Sequence, residues 1–160
     1  MKNHKEETKS ANYTKFFLML ASSFLAMYVT MYLNTYAIDH VYFSLTRFYM
    51  TCLGISTMAV IMLLFMWGMY TDKKKNKAIL VGSLLLFSAA LLLVRTQKPI
   101  IGDVLWLKGM IPHHSIAIMT SERAYIKDPE VKKLADDIIK AQKKEIEEMK
   151  MMLKRLENEK

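Results

Sequence analysis

This chain has very little cysteine, and its first 102 residues have few acidic side chains. The only cysteine is Cys52, so an intramolecular disulfide is excluded and the cysteine count says nothing about the redox compartment. Residues 1–102 hold four Asp or Glu against 11 Lys or Arg, whereas residues 103–160 hold 11 acidic and 12 basic residues. The net charge of +8 therefore belongs almost wholly to the first part of the chain.

Charge of either sign is missing from three long apolar runs, which cover residues 16–33, 48–70 and 78–94. An α-helix needs about 20 apolar residues to cross a hydrocarbon core, with a range of about 17–25. Because basic residues gather at the ends of these runs, we interpret the basic balance as membrane topology and not as nucleic-acid binding. We expect three transmembrane helices in a lipid bilayer and no nucleic-acid partner.

The first run could instead belong to a secretory signal peptide. It is longer than the usual apolar core of about 7–15 residues, however. The sequence that follows, NTYAIDH, has no small-x-small cleavage site. We therefore expect an uncleaved span.

The distribution of lysine and arginine predicts the orientation of the spans. The arm 1–15 and the loop 71–77 hold four lysines each, whereas loop 34–47 holds only Arg47. We expect the arm and loop 71–77 to be cytoplasmic. This predicts a multi-pass protein of the bacterial inner (cell) membrane, with a membrane domain at 16–98 and a periplasmic or extracellular domain at 99–160.

The domain 99–160 contains the patterns of two helices, over about 103–126 and 129–157. Between them, Asp128 is a candidate N-cap and Pro129 occupies the first helical position. The second helix has no internal glycine or proline and is rich in good helix formers. We expect the two helices to pack as a hairpin.

Polar groups interrupt the apolar face of each helix, taken at 100° per residue. On the second helix, Gln142 and Glu145 share this face with Met149 and Met152. A buried carboxylate is costly unless it is paired, hydrogen-bonded or bound to a metal. Glu145 therefore needs a partner, unless it reaches solvent at the edge of the face.

The packing face of the first helix carries possible metal ligands. These are Asp103, Met110, His113 and His114. Thioether and imidazole donors together favour Cu(I), and imidazole also suits Cu(II). Structural zinc sites more often use cysteine, and di-iron bundles use Glu-x-x-His pairs, neither of which this domain contains. Copper is therefore the metal that fits best.

A second interpretation of the same residues is packing, because methionine commonly fills gaps in helical cores. Adjacent histidines on a helix diverge by 100°, so we expect only one of His113 and His114 to bind a given ion. Pro112 removes the partner of the Lys108 carbonyl and predicts either a kink or a new helix start just before the histidines.

Two motifs carry a family resemblance: M-I-P-H-H at 110–114 and Q-x-x-E-I-x-x-M at 142–149. With this separation, residues 103–153 closely resemble the domain-of-unknown-function 305 family. The resemblance implies a ferritin-like, extracytoplasmic helical domain that binds copper in copper tolerance. Its signature positions are Asp103, Met110, His113, His114, Gln142, Glu145 and Met149. Met152 is a candidate ligand from its spacing alone.

Many members of this family contain four helices, whereas this domain has two. Two amphipathic helices cannot bury a full core, so we expect a homodimer or higher homo-oligomer that forms a ferritin-like four-helix bundle. The predicted fold is thus all-α, with three transmembrane helices followed by a helical hairpin.

The function that these features favour is a membrane-anchored copper-binding protein for tolerance, sequestration or metallochaperoning, and not an enzyme. One alternative is a copper-dependent oxidoreductase, for example one that oxidises Cu(I). Another is a structural or interaction module in which the His-His pair only packs. The spans carry no charge and no ATP-binding motif is present, so a pump is not favoured.

Overall fold

The computed structural model describes residues 2–98 and 100–159, with only the backbone described for residues 2–10. Within this part of the chain the structure is all-α, as predicted. Its elements are α1 (Lys2–Thr30), a 3-10 turn (Ile38–His40), α2 (Leu45–Phe65), α3 (Lys73–Thr96), α4 (Asp103–Arg123) and α5 (Pro129–Asn158). The predicted charges of the arm at Lys2, Lys5 and Lys9, and the domain boundary at Pro99, lie outside the described side chains.

The chain divides into two compact units, and each combines segments that are distant in sequence. The first unit comprises Met1–Val29 and Arg47–Gln97, and the second comprises Thr30–Thr46 and Lys98–Lys160. The segment between α1 and α2 therefore belongs to the same unit as the C-terminal helices.

The first unit contains three helices that are long and apolar enough to cross a membrane, at Ala11–Thr30, Leu45–Phe65 and Lys73–Thr96. Its buried cluster is built from all three: Tyr13, Phe16, Ala59, Leu63, Tyr70 and Ile79. Many leucines of these helices face outward, which suits a lipid environment. The structure confirms three candidate spans, each shifted by a few residues from the apolar run that predicted it.

A polar network joins Tyr13 of α1 to the start of α3. The Tyr13 hydroxyl donates to the Asn76 side-chain oxygen at 2.6 Å. The Asn76 amide donates in turn to the Tyr70 carbonyl at 2.7 Å. The Asp72 carboxylate caps α3 by accepting from the backbone N–H groups of Lys74 and Lys75 at 2.9 and 3.2 Å. The α2–α3 connection is thus fixed by satisfied polar groups next to a run of lysines.

The second unit is built around the hairpin of α4 and α5. The predicted cap is confirmed, because Asp128 accepts from the N–H groups of Glu130 and Val131 at 2.9 and 3.0 Å, with Pro129 following. The two helices enclose a buried cluster of Leu107, Ile111, Ile118, Ile146, Met149 and Leu153. Burying these side chains on one stripe of each helix holds the hairpin together.

Pro112 lies buried inside α4, and the helix runs through it from Asp103 to Arg123. Of the two predicted effects of this proline, a new helix start is therefore wrong. The α4 helix also ends three residues earlier than its pattern predicted. The backbone N–H of Ala124 makes the last bond, to the Thr120 carbonyl at 3.1 Å.

Candidate metal centre

A polar pairing between α4 and α5 joins a histidine of the M-I-P-H-H motif to a carboxylate of the second motif. The His114 Nε2 atom lies 2.9 Å from the Glu145 Oε2 atom, with the two side chains 14% and 49% exposed. The Gln142 side-chain amide donates to the same carboxylate oxygen at 3.2 Å. His114 is thus the partner that Glu145 required, and Gln142, one turn earlier on α5, adds a second hydrogen bond to the carboxylate.

The backbone fixes which nitrogen of His114 is free to bind an ion. The Nδ1 atom lies 3.0 Å from the Met110 carbonyl oxygen, which can only accept, so Nδ1 carries a hydrogen. In the neutral imidazole, Nε2 then presents a lone pair, and it presents that lone pair to a carboxylate. Two acceptors at 2.9 Å need a proton or another cation between them. A ring that donates Nδ1–H to a carbonyl while Nε2 faces outward is the common arrangement of metal-ligating histidines.

The remaining predicted ligands lie at different distances from this pair. His113 is exposed, and its ring centre lies 5.9 Å from that of His114. Met110 is half-buried against the hairpin core. Met149 is 7% exposed and belongs to that core, whereas Met152 is exposed. Of the thioethers, Met110 is therefore the one that combines a position one turn from His114 with partial solvent access.

Asp103 is separated from the pair along the helix. It is the first residue of α4 and borders a small surface depression with Gly102, Val104, Leu105 and Leu156. Eleven residues of α-helix separate it from His114, which corresponds to about 16 Å. The structure therefore does not bring Asp103 to the pair within one chain.

A single chain supplies an incomplete set of donors. Within residues 2–98 and 100–159, no three His, Cys, Asp or Glu side chains are close enough together to hold a metal ion. His114 and Glu145 provide two such donors, whereas closed sites for first-row metals commonly use four. Further donors must come from thioethers, from His113 after a side-chain rotation, or from a second chain.

The flank of α5 that carries Glu145 also carries exposed apolar side chains, about two to four turns along the helix from it. At 100° per residue, this flank of α5 collects Val131, Leu134, Glu145 and Met152, and Trp106 lies on the matching flank of α4. The four apolar members of this set are exposed. We call these four side chains the apolar flank. Large exposed apolar side chains on one flank are typical of a protein–protein contact.

The opposite side of α4 is covered by the segment between α1 and α2, which the sequence had indicated only as a loop. The buried His40 Nδ1 atom lies 3.0 Å from the Ser115 hydroxyl oxygen, and the Tyr36 backbone N–H donates to the same oxygen at 2.8 Å. Ser115 follows His114 directly, so this contact fixes the helix turn that carries the candidate ligand. No local sequence pattern marked His40 or Ser115.

Charged groups hold the edge of this segment against α5. The Lys150 ammonium group lies 2.6 Å from Asp39 and 3.3 Å from Glu147. The hydrogen bond from Lys150 lowers the pKa of Asp39. Burial opposes the charge of Lys150, but Asp39 and Glu147 outweigh it and raise the Lys150 pKa. Burial, followed by the nearby Lys150 charge, lowers the pKa of His40.

Ser115, His40 and Asp39 together resemble a serine-hydrolase triad in composition only. Ser115 is completely buried, and its hydroxyl already serves both His40 and the Tyr36 N–H. The His40 Nε2 atom lies 4.0 Å from Asp39, which is too long for a hydrogen bond. A nucleophile must reach its substrate, so we assign this trio to the packing of the segment on α4.

The comparison with known protein families singles out the C-terminal part of the chain. Residues 96–160, which include α4 and α5, match the model of the family described as "Domain of unknown function (DUF305)". Over 145 residues, the chain is 37% identical to "Uncharacterized protein L153" of Acanthamoeba polyphaga mimivirus, which covers 89% of this chain and 93% of the relative. This chain belongs to the same family as that protein, and its residues 96–160 match the DUF305 model.

The alignment with the mimivirus relative is more than twice as long as the DUF305 match. The similarity therefore extends from the DUF305 domain well into the helices that precede it. No solved structure matches this chain.

Proposed function

We propose that this protein is a membrane-anchored copper-binding protein, in which α1–α3 hold the chain in a bacterial cell membrane and the DUF305 domain binds copper on the outer face. The observation that carries the proposal is the His114–Glu145 pair. Its two facing acceptor atoms, 2.9 Å apart, need a proton or a metal cation between them, and the Met110 carbonyl presets the histidine tautomer that binds a metal.

The donors around this pair favour copper over other metals. Imidazole suits several first-row ions, but thioethers select the soft Cu(I) ion, and Met110 lies one turn from His114. A first-row ion sits about 2 Å from each nitrogen or oxygen ligand, so the Glu145 carboxylate must swing aside to admit it. Glu145 is half exposed, and its carboxylate contacts His114 and Gln142, which leaves room for that movement.

A second copy of the chain supplies the missing donors in this proposal. The apolar flank lies on the side of an otherwise stable hairpin that carries Glu145, and two such flanks together would form a four-helix bundle with the two pairs facing its centre. The exposed His113 and Met152 are then available from either copy. Copper binding and homodimerisation are thus expected to depend on each other.

The chain segments that make up the second unit support the proposed topology. Residues Thr30–Thr46 and the C-terminal helices form one compact unit, which requires them to lie on one side of a membrane. Three spans place them on one side, because residues 30–46 follow the first span and the C-terminal domain follows the third. The lysines of the arm and of Lys73–Lys77 then lie on the other side, as the positive-inside rule requires.

The test is metal analysis of the full-length protein in detergent after loading with Cu(I), together with its mass in solution. We expect bound copper in a dimer, and loss of copper binding when His113→Ala and His114→Ala are combined. The variant His4→Ala removes a histidine outside this domain and controls for unspecific imidazole binding. Two outcomes would instead indicate a structural module. One is an unchanged copper affinity without His113 and His114, and the other is a dimer mass that neither copper nor a chelator changes.

A further inference from the structure

An apolar groove of about 680 Å³ lies between the three helices of the first unit. Residues of α1 and α3 form its walls and residues of α2 its floor, with Phe17, Leu20, Gly82 and Leu86 among them. Its size lies within the range of about 300–1,000 Å³ that is usual for small-molecule sites. The groove can therefore hold a ligand and is more than a packing defect.

The length of the groove matches one leaflet of a bilayer. It follows α3 from Lys75 to Leu86, which is 11 residues or about 16 Å at 1.5 Å per residue. Half of a hydrocarbon core is about 15 Å. A transmembrane helix of another chain would cross the full core of about 30 Å, so the groove has the length of an acyl chain and not of a helix.

Charge lies at one end of the groove only. Lys75 is the single ionisable side chain among the described residues of its lining, and its ammonium group lies 4.9 Å from the centre of the Tyr13 ring. Three further lysines lie within two residues of it, at 73, 74 and 77. The Ser56 hydroxyl, deeper in the groove, already donates to the Leu53 carbonyl at 2.8 Å. The end at Lys75 thus suits an anion, and the interior suits hydrocarbon.

We propose that this groove binds one anionic phospholipid, with an acyl chain between α1 and α3 and its phosphate at Lys75. Basic sites between transmembrane helices on the cytoplasmic side are known to bind anionic headgroups, and Lys73–Lys77, the start of α3, lies at the end that the proposed topology makes cytoplasmic. The inference rests on the membrane anchoring in the proposed function but is independent of the copper site.

Native mass spectrometry of the delipidated full-length protein in detergent tests this inference, with phosphatidylglycerol and phosphatidylcholine titrated separately. We expect one phosphatidylglycerol per chain, bound about fivefold more tightly than phosphatidylcholine, since one lysine near a membrane surface contributes about that factor. Lys75→Gln should remove this preference, whereas Lys74→Gln, which changes a lysine outside the lining, should keep most of it.

A second variant blocks the groove itself. A Cβ atom at Gly82 would meet nothing within 4 Å, so the side chain of Gly82→Leu starts in open space in the groove and should weaken the binding of both lipids. Val81→Leu changes the adjacent, exposed position outside the lining and should have no effect. Equal affinity for both lipids, an unchanged preference in Lys75→Gln, or unchanged binding in Gly82→Leu would each overturn the inference.

Two readings on the same preparations separate this inference from the proposed function. If alkaline carbonate extracts the protein from membranes, the anchoring fails and the lipid site fails with it. If the protein stays in the membrane fraction without a preference for phosphatidylglycerol, only the lipid site fails. Copper content is measured independently of both.

Discussion

The His40 Nδ1 atom lies 3.0 Å from the Ser115 hydroxyl oxygen, although 75 residues separate them in the sequence. This contact seats the segment between α1 and α2 on α4, one residue away from the candidate ligand His114. Both groups are buried, so the bond must be kept or replaced whenever the segment moves. The orientation of the metal-binding turn is thereby linked to a segment from another part of the chain.

Acidification should loosen this segment. Burial and the Lys150 charge lower the pKa of His40, so folding favours the neutral imidazole. The resulting stability is fully present above the unfolded pKa of about 6.5 and is lost as the pH falls through that value toward the lower folded pKa. We expect hydrogen exchange of the Tyr36 amide, whose N–H donates to Ser115, to lose protection between pH 7.5 and 5.5.

The control for this prediction is His40→Gln, which removes the titrating group but keeps hydrogen-bonding capacity. In that variant, the protection of the Tyr36 amide should no longer depend on pH after correction for intrinsic exchange. The same pH dependence in both proteins would assign it to a group other than His40.

The sequence predicted the parts of this structure that depend on local signals. The spans follow from uncharged runs, and the start of α5 follows from Asp128 and Pro129. The facing of His114 and Glu145 could also be expected, because each lies on the packing face of its own helix. The seating of His40 on Ser115 could not, because a contact across 75 residues leaves no periodic pattern. The continuity of α4 through Pro112 was also not predictable, since tertiary packing around the buried proline decides it.

Removal of the α5 cap should destabilise the second unit. Asp128→Ala leaves the N–H groups of Glu130 and Val131 without their side-chain acceptor, which costs about 1 kcal/mol of unfolding free energy. Asp137→Ala, at an exposed position inside the same helix, is the matched control and should stay within about 0.5 kcal/mol. Chemical denaturation in detergent, followed by the helix signal, measures both, and equal losses would contradict the capping role.

Truncation inside the hairpin core should have a larger effect. Ile146 is 1% exposed in the buried cluster of α4 and α5, so Ile146→Ala leaves a cavity and should cost about 2–5 kcal/mol. Met151→Ala removes an apolar side chain that is 65% exposed on the opposite face of the same helix. In the same chemical denaturation, the Met151→Ala variant should have nearly the unfolding free energy of the parent protein. A loss as large as that of Ile146→Ala would show that a second copy of the chain buries Met151.

A charge on the apolar flank should separate the proposed dimer. Leu134 is 60% exposed, so Leu134→Glu has little to disturb within one chain but places a carboxylate in the proposed contact. We expect a monomer in analytical ultracentrifugation, with copper affinity reduced by at least about tenfold. Lys133→Glu changes the charge on the neighbouring, exposed face and should leave a dimer. A Leu134→Glu protein that remains dimeric would place the interface elsewhere.

Single substitutions in the two motifs distinguish which histidine binds the metal. His114 has its Nδ1 bonded to the Met110 carbonyl and its Nε2 directed at Glu145, whereas His113 is exposed. His114→Gln should therefore weaken Cu(I) binding by about 100-fold or more, and His113→Gln should weaken it less, since loss of an outer ligand partner costs about 10–100-fold.

Competition titration against a Cu(I) chelator measures the copper affinity of both histidine variants, and it tests the carboxylate as well. Glu145→Gln keeps the shape of the side chain but removes the charge that faces Nε2, and we expect a loss of about tenfold. Glu148→Gln, one turn along α5 and paired with Lys144, is the control and should bind copper as the parent does. If His113→Gln abolished binding while His114→Gln and Glu145→Gln did not, the pair would be a packing contact and the ion would lie on the exposed side of α4.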